Sequence, residues 1–420
     1  MKVVIAHPEQ QHSLKTAEAL ASHDLLGQYL TTVYYAEGSL TKALAGLLPD
    51  RFKVKAAGRR SVKLSDDLVT QFCEAQALVK LLCQNVSKLK RFYSSIRYGN
   101  SDAFAARAAR YAIEHGADIV IGYDNTSPVL FEILERDAPH IVRIQDMTAL
   151  NTLYMKPIYE RDFLLKPDFA DMLKVEQSRV WDERQLERKR RELSSAQFFL
   201  CASTVTRESL TYSGISPDRC LMLPYGVDSH EFSPGRKHTV SLPVRFVYVG
   251  GTKELKGIAY LLDAFLAVDP SVAHLTIVGS NSLSPDLLSR YEGRVSFAGV
   301  VPHSKLPDLL RTMDAMLFPS LGDGFGLAAL EGMSCGLPLV CTDKSGVCDC
   351  VVDGVSGYVV PAQDERALVA CVSELASDHA RLSRMGEAAR VTAQRYTWER
   401  YGDSLCRLLQ GLPIATDAHE

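Results

Sequence analysis

The chain has 420 residues, too many for one ordinary hydrophobic core, so two domains are expected. Apolar residues make up 46% and charged residues 23%, the balance of a globular protein in water, and the formal net charge of -3 argues against a general nucleic-acid binder. No apolar run approaches the roughly 18 residues of a membrane span, the amino terminus opens as a strand (KVVIA) without a signal-peptide pattern, and a cytoplasmic protein is the expectation.

In chain order, a first series of strand-like runs covers Val3 to Ala6, Asp118 to Gly122, Ile141 to Ile144 and Phe198 to Ala202. The loop after the first run carries Gln11 and His12, which are either acceptor contacts or surface residues. From Glu74 to Glu114 the pattern is helical and mixed in charge. The loop YDNTSP, from Tyr123, faces the mouth of the sheet by topology. The run HIVRIQDM ends in Gln145 and Asp146, either a polar strand end and helix cap or a contact to substrate. Trp181 to Glu192 is a basic helical run. It reads as a solvated face with i,i+4 pairs such as Glu187 with Arg191, or as a grip on an anionic acceptor or on the inner face of a membrane.

Leu223 to Lys237 (LPYGVDSHEFSPGRK) holds two prolines and two glycines and reads as a linker. A second, denser series follows: Val244 to Val249, His274 to Gly279, Val295 to Val300, Ala315 to Phe318, Leu337 to Cys341 and Gly357 to Val360. Short β-rich runs alternating with helices imply parallel sheets with helices on both faces. Two series imply two doubly wound domains, residues 1–225 and 226–395, with ligand beyond the carboxyl ends of the strands. The last segment, about 396–420, is aromatic and helical and is expected to cross back to the first domain. The ten cysteines lack the paired spacing of a structural zinc site, so reduced, packed thiols are expected.

The chemistry concentrates in the second series. GGTKELKG places Gly250, Gly251, Lys253 and Lys256 at a strand end, where lysine can neutralise a diphosphate. Loop tips at Gly279 and Val301 could seat a base. After Phe318 comes PSLGDGFGLAALEG, a glycine loop that opens a helix. Such a loop turns backbone N–H groups toward an anion at the positive end of the helix dipole. Asp323 and Glu331 flank it and can accept hydrogen bonds from sugar hydroxyls. A diphosphate with a sugar on each side is a nucleotide-sugar. TDKSG, from Thr342, can add backbone donors.

On these motifs the chain resembles the family-4 retaining glycosyltransferases (glycosyl transferases group 1) with the two-Rossmann GT-B architecture. The resemblance covers the second domain, reaches back through ELSSAQFFLCAST and LPYGVDSHEFSP, and includes YTWERYGDSL near the end. It implies an enzyme that moves a sugar from a nucleotide-diphosphate donor to a hydroxyl of a glycan or lipid-linked acceptor, with no metal or other cofactor. By position, Asp323 would hold donor-sugar hydroxyls. Gly324, Phe325, Gly326 and Leu327 would present N–H groups to the donor. Glu331 would bind the ribose, and Lys256 would contact the diphosphate and stabilise the leaving group. Three places depart from the usual pattern. Asp323 replaces a glutamate, Gly251 stands where many members have arginine, and Gln145 and Asp146 end a strand after which many have histidine. A non-catalytic nucleotide-sugar or glycan binder and a nucleotide-sugar epimerase are the alternatives.

Overall fold

The structure, a computed structural model, describes residues 1–9, 12–46, 53, 56–85, 90–178, 181–235 and 240–413. The first domain holds seven parallel strands: β1 (Val3–Ala6), β2 (Leu26–Thr31), β3 (Val69–Gln71), β4 (Ile119–Tyr123), β5 (Val142–Met147), β6 (Phe198–Cys201) and β7 (Cys220–Met222), in the order β3-β2-β1-β4-β5-β6-β7. The second holds six: β8 (Val244–Val249), β9 (Ala273–Val278), β10 (Val295–Gly299), β11 (Ala315–Phe318), β12 (Leu339–Thr342) and β13 (Gly357–Val360), ordered β10-β9-β8-β11-β12-β13. Every ladder is parallel. In both sheets the order reverses beside the first strand, at β1/β4 and β8/β11, and the crevice at that point is where such sheets take ligands.

The central strands are buried on both faces, as VVIA and AMLF show at every position, which is why they read as continuous apolar runs. The three strands absent from the sequence reading lack that signal. β2 (LGQYLT) has a glycine and a glutamine in its first half, and β3 and β7 are three-residue edge strands.

The final helix, Trp398–Gln410, starts on the cap of Thr397 and buries Tyr401, Leu405 and Leu409 on one face. It lies on the Ser13–Ala21 helix of the first domain. There the hydroxyls of Thr16 and Tyr401 meet at 2.9 Å, and His23 pairs with Asp403 at 3.1 Å. The linker is tied to its start by the Val227 N–H on the Tyr396 carbonyl, 3.0 Å. The chain therefore crosses between the domains twice, at one place.

A third connection has no counterpart in the sequence reading. Between β5 and β6 the helices Thr152–Leu165 and Ala170–Ser178 leave the first domain and dock on the second. Phe169 packs into the core of the β8–β13 sheet. Lys166 reaches Asp263 and Glu365, each at 2.6 Å, and Asp162 accepts from the Tyr260 hydroxyl at 2.7 Å and from Gln363 at 3.1 Å. This helical arm forms one wall of the space between the domains. Among the described residues no helix is long and apolar enough to cross a membrane, and none of the ten cysteines is in a disulfide.

Candidate functional site

The loop from Pro319 to Gly326 runs from β11 into the helix Leu327–Ser334. It is pinned on both sides. Toward β12, the Asp323 N–H donates to the Lys344 carbonyl at 3.0 Å and the Gly346 N–H donates to the Asp323 carbonyl at 2.9 Å. Toward the first domain, the Gly324 carbonyl accepts from the hydroxyls of Ser203 (2.8 Å) and Thr206 (2.9 Å), at the start of the helix Thr204–Thr211. The GFG loop is thus a joint between the domains as well as a helix start. Along it, the first helical N–H groups to find backbone acceptors are those of Ala329 and Leu330, both on the Gly326 carbonyl. The N–H groups ahead of them lie at the positive end of the helix.

Asp323 is engaged by both carboxylate oxygens. The Lys256 ammonium donates to Oδ2, and the Phe325 N–H donates to Oδ1 at 3.1 Å. Two of the expected donor contacts are therefore bonded to each other. Phe325 differs from expectation. Its N–H serves Asp323, and its buried ring lies edge-on to Tyr225, with centroids 5.3 Å apart. Gly326 caps the helix and Leu327 begins it.

Lys256 stands in a one-turn 3-10 helix, Glu254–Lys256, after β8. The turn ends at Gly257, whose φ of +69° and contact with the Pro319 carbonyl (1.9 Å from an added Cβ) leave no room for a side chain. The lysine turn is in this way pressed onto the start of the glycine loop. Gly250 and Gly279 also press together. A Cβ on Gly279 would lie 2.0 Å from the Gly250 carbonyl, and the Gly250 N–H is spent on Val278, 2.8 Å. These two glycines pack loop against loop. Gly251 is half-buried, Lys253 is exposed, and Val301 packs partly buried against the core.

Glu331, four residues into the Leu327–Ser334 helix, is bound to His303 by Oε1···Nε2 at 2.9 Å. The hydrogen bond to Glu331 raises the His303 imidazole above its usual range, against some desolvation.

Between the domains lies a cavity of about 1560 Å³. Lys253, Lys256, Asp323 and Gly324 line one side. Asn125, Thr148, Gln185 and Lys189 line the other, and Met155, Tyr159 and Glu176 of the helical arm close the wall. The arm also touches the lysine turn, because Glu176 accepts from the Leu255 N–H at 3.1 Å. Burial raises the Glu176 carboxyl, opposed by that N–H and by Lys253 and Lys256.

The expected acceptor residues distribute differently. Tyr123 and Gln145 are 0% exposed, so neither side chain faces an acceptor here. His12 and Asp146 pair with each other at 2.8 Å, both nearly buried, and Asp146 also accepts from the Tyr225 hydroxyl at 3.0 Å. These four residues form the floor beneath the cleft. Gln11 lies outside the described residues. In their place the structure brings Asn125, Gln185 and Lys189 to the cavity wall. Lys189 sits 3.5 Å from Asp124, and beside it burial, then repulsion from Asp124, push Glu192 up to about 8. The basic helix itself is spoken for. Arg188 is bidentate on Asp102 (3.0 and 2.7 Å), Arg191 holds Glu132, and it is Arg190 that meets Glu187, at 3.2 Å. Arg191 thus takes Glu132 of a neighbouring helix as its direct partner, with Glu187 acting on it from further off, and Arg190 makes the contact within the helix.

Residues 243–378 match the family model described as Glycosyl transferases group 1. Over this stretch the second domain is similar to the glycosyl transferases group 1 family. The group 1 match spans β8 to the end of the helix that follows β13. Over 252 residues the chain is 29% identical to a D-inositol 3-phosphate glycosyltransferase of Thermobispora bispora, covering 52% of this chain and 59% of that protein. It is 31% identical over 222 residues to one from Geodermatophilus obscurus, covering 47% and 49%. The chain thus spans about half the length of the curated relatives it matches. Among solved structures, sucrose-phosphate synthase from Thermosynechococcus elongatus superposes with a TM-score of 0.68 at 17% identity, over 98% of each chain. Anabaena HepE in complex with UDP-glucose superposes at 0.62 and 15%, over 98% of this chain and 100% of that one. These likenesses give the whole chain the two-domain GT-B fold.

Proposed function

We propose that the protein is a retaining glycosyltransferase that moves a sugar from a nucleotide-diphosphate donor to a hydroxyl acceptor without a metal ion. The observation that carries this reading is the Lys256–Asp323 pair beside the GFG helix start, at the edge of the interdomain cavity. With donor bound, the Lys256 ammonium turns to the diphosphate, and Asp323, released, takes donor-sugar hydroxyls. The bond from the anomeric carbon to the β-phosphate oxygen breaks. The acceptor oxygen bonds to that carbon from the same face, and its proton passes to the departing phosphate. Charge develops on that phosphate, where Lys256 and the N–H groups of the helix start are already fixed. Glu331 holds the ribose.

The acceptor in this reading is a saccharide or lipid-linked saccharide that enters past Asn125, Gln185 and Lys189. The curated relatives, named for D-inositol 3-phosphate, make a phosphorylated polyol a further acceptor to test. HepE, solved with UDP-glucose, puts uridine donors first in the panel.

The test is a thermal-shift series with UDP, GDP, ADP and their hexose conjugates, with and without magnesium, followed by transfer of labelled sugar to acceptors. Ligand bound only by the folded state raises the melting temperature by mass action. A shift with one nucleotide, indifferent to magnesium and lost in Glu331→Ala, is expected. Absence of any shift, or binding without transfer to any acceptor, would overturn the reading in favour of a non-catalytic protein.

A further inference from the structure

His303 carries an arrangement that the proposed chemistry leaves unused. It sits on the loop after β10, at the start of a 3-10 turn, and its side chain is 64% exposed. Its one acidic hydrogen-bond partner is Glu331, 28 residues on, which is only 14% exposed. An exposed imidazole is therefore anchored to the nearly buried carboxylate that the proposed function assigns to the ribose. The partner is a carboxylate, so Nε2 carries the hydrogen. The edge of the Phe232 ring, with centroids 5.2 Å apart, limits how the imidazole can turn. The remaining charges facing it are Glu231, which favours the imidazolium, and Lys15 of the first domain, which opposes it.

We propose that His303 is a positioning residue for the donor: by holding Oε1 of Glu331 it fixes the carboxylate so that Oε2 is free to accept from the ribose hydroxyls. The inference rests on the assignment of Glu331 to the ribose. Holding one oxygen removes the rotational freedom that a lone glutamate would lose on binding, so affinity is gained through preorganisation. The imidazolium form makes the stronger, charge-assisted bond. Donor affinity then falls as pH rises through the raised imidazole range. The group acts on binding and stands away from the reacting anomeric carbon, so its signature is in KM with little change in kcat.

The experiment measures the Kd of UDP (or of GDP or ADP, if one of those shifts the wild type) for wild type, His303→Ala, His303→Gln and Glu331→Ala between pH 6 and 8. Because His303 is exposed, the variants retain the fold, which melting curves check. His303→Ala should weaken binding about fivefold, the equivalent of one hydrogen bond of about 1 kcal/mol. It should also remove the pH dependence. His303→Gln, which keeps an N–H donor, should recover most of the affinity, and the two His303 variants should raise KM while leaving kcat within about twofold. Unchanged Kd in His303→Ala, with binding lost in Glu331→Ala, would overturn the proposal and leave the ribose assignment standing. Tighter binding in His303→Ala would also overturn it, because the imidazole would then be a plug on Glu331. Wild-type affinity in Glu331→Ala would remove the ribose assignment itself, and the proposal with it.

Discussion

Asp162 and Glu254 bring two carboxyl groups together in the buried contact between the helical arm and the lysine turn. Asp162 Oδ1 is held by Tyr260 and Gln363, and Glu254 Oε2 by the Ala259 N–H at 3.1 Å. The oxygens left over, Asp162 Oδ2 and Glu254 Oε1, are both buried and find no N–H or O–H donor among the described residues, so a proton shared between the two carboxyls is what would satisfy them. Glu254 lies between Lys253 and Lys256 in sequence, so this acid pair anchors the turn that supplies the cationic side of the cleft.

That pair makes stability depend on pH with a definite sign. Burial raises both carboxyls, and the charge of Asp162 raises Glu254 further. The folded state binds the shared proton more tightly than the unfolded chain does. The stabilisation is therefore fully present below the unfolded carboxyl range near pH 4 and is lost as pH rises through the raised folded values. Asp162→Asn supplies an N–H in place of the proton. Its stability relative to wild type should improve with rising pH, while Asp162→Ala should cost on the order of 1–3 kcal/mol at pH 5. Urea titrations of the three proteins from pH 5 to 9 give both comparisons.

Lys256→Ala should lower kcat by roughly 100- to 1000-fold, the range for loss of one fixed charge-stabilising group. Lys256 is part-exposed, so the fold should persist. Steady-state transfer kinetics with the donor identified by thermal shift check this. Turnover within a few-fold of wild type would remove Lys256 from the leaving-group role.

Glu331→Ala should act on binding. Loss of hydrogen bonds from ribose hydroxyls to a charged acceptor, about 1.5–3 kcal/mol, corresponds to roughly a 10- to 150-fold rise in donor Kd. Calorimetric titration with the nucleoside diphosphate measures it directly.

The joint between the domains can be tested at Gly324. Thr206→Val removes one of two hydroxyls on its carbonyl and should cost about 1 kcal/mol. Adding Ser203→Ala strips the carbonyl of both and removes the helix cap to the Thr206 N–H, for a total on the order of 2–4 kcal/mol. Chemical denaturation reads the cost. A parallel fall in kcat would show that the loop's position depends on the first domain.

The sequence by itself determined the parts whose physics is local. In the second sheet, β11 and β12 are apolar runs buried at every position. The glycine loop opens a helix because the chain there needs positive φ at Gly326, +95°. The amphipathic stripe of Tyr401, Leu405 and Leu409 marks a helix that must cover something. Lys256, Asp323 and Glu331 could be singled out because charged residues beside such a loop are in themselves a chemical statement. What only the tertiary structure decided are pairings between distant residues. Asp323 and Lys256 lie 67 positions apart, and Glu331 and His303 28, and no periodicity reports which side chains meet across two loops. Tyr123, Gln145 and Asp146 stand at strand ends, and His12 at the start of the first helix, where topology points to the cleft, yet the rings of Tyr225 and Phe325 and the final helix, through Tyr401, close over that floor. The helical arm was hidden for the same reason. Its helices look like any first-domain connection, and only the partners of Asp162, Lys166 and Phe169, all in the second domain, reveal that it bridges the two.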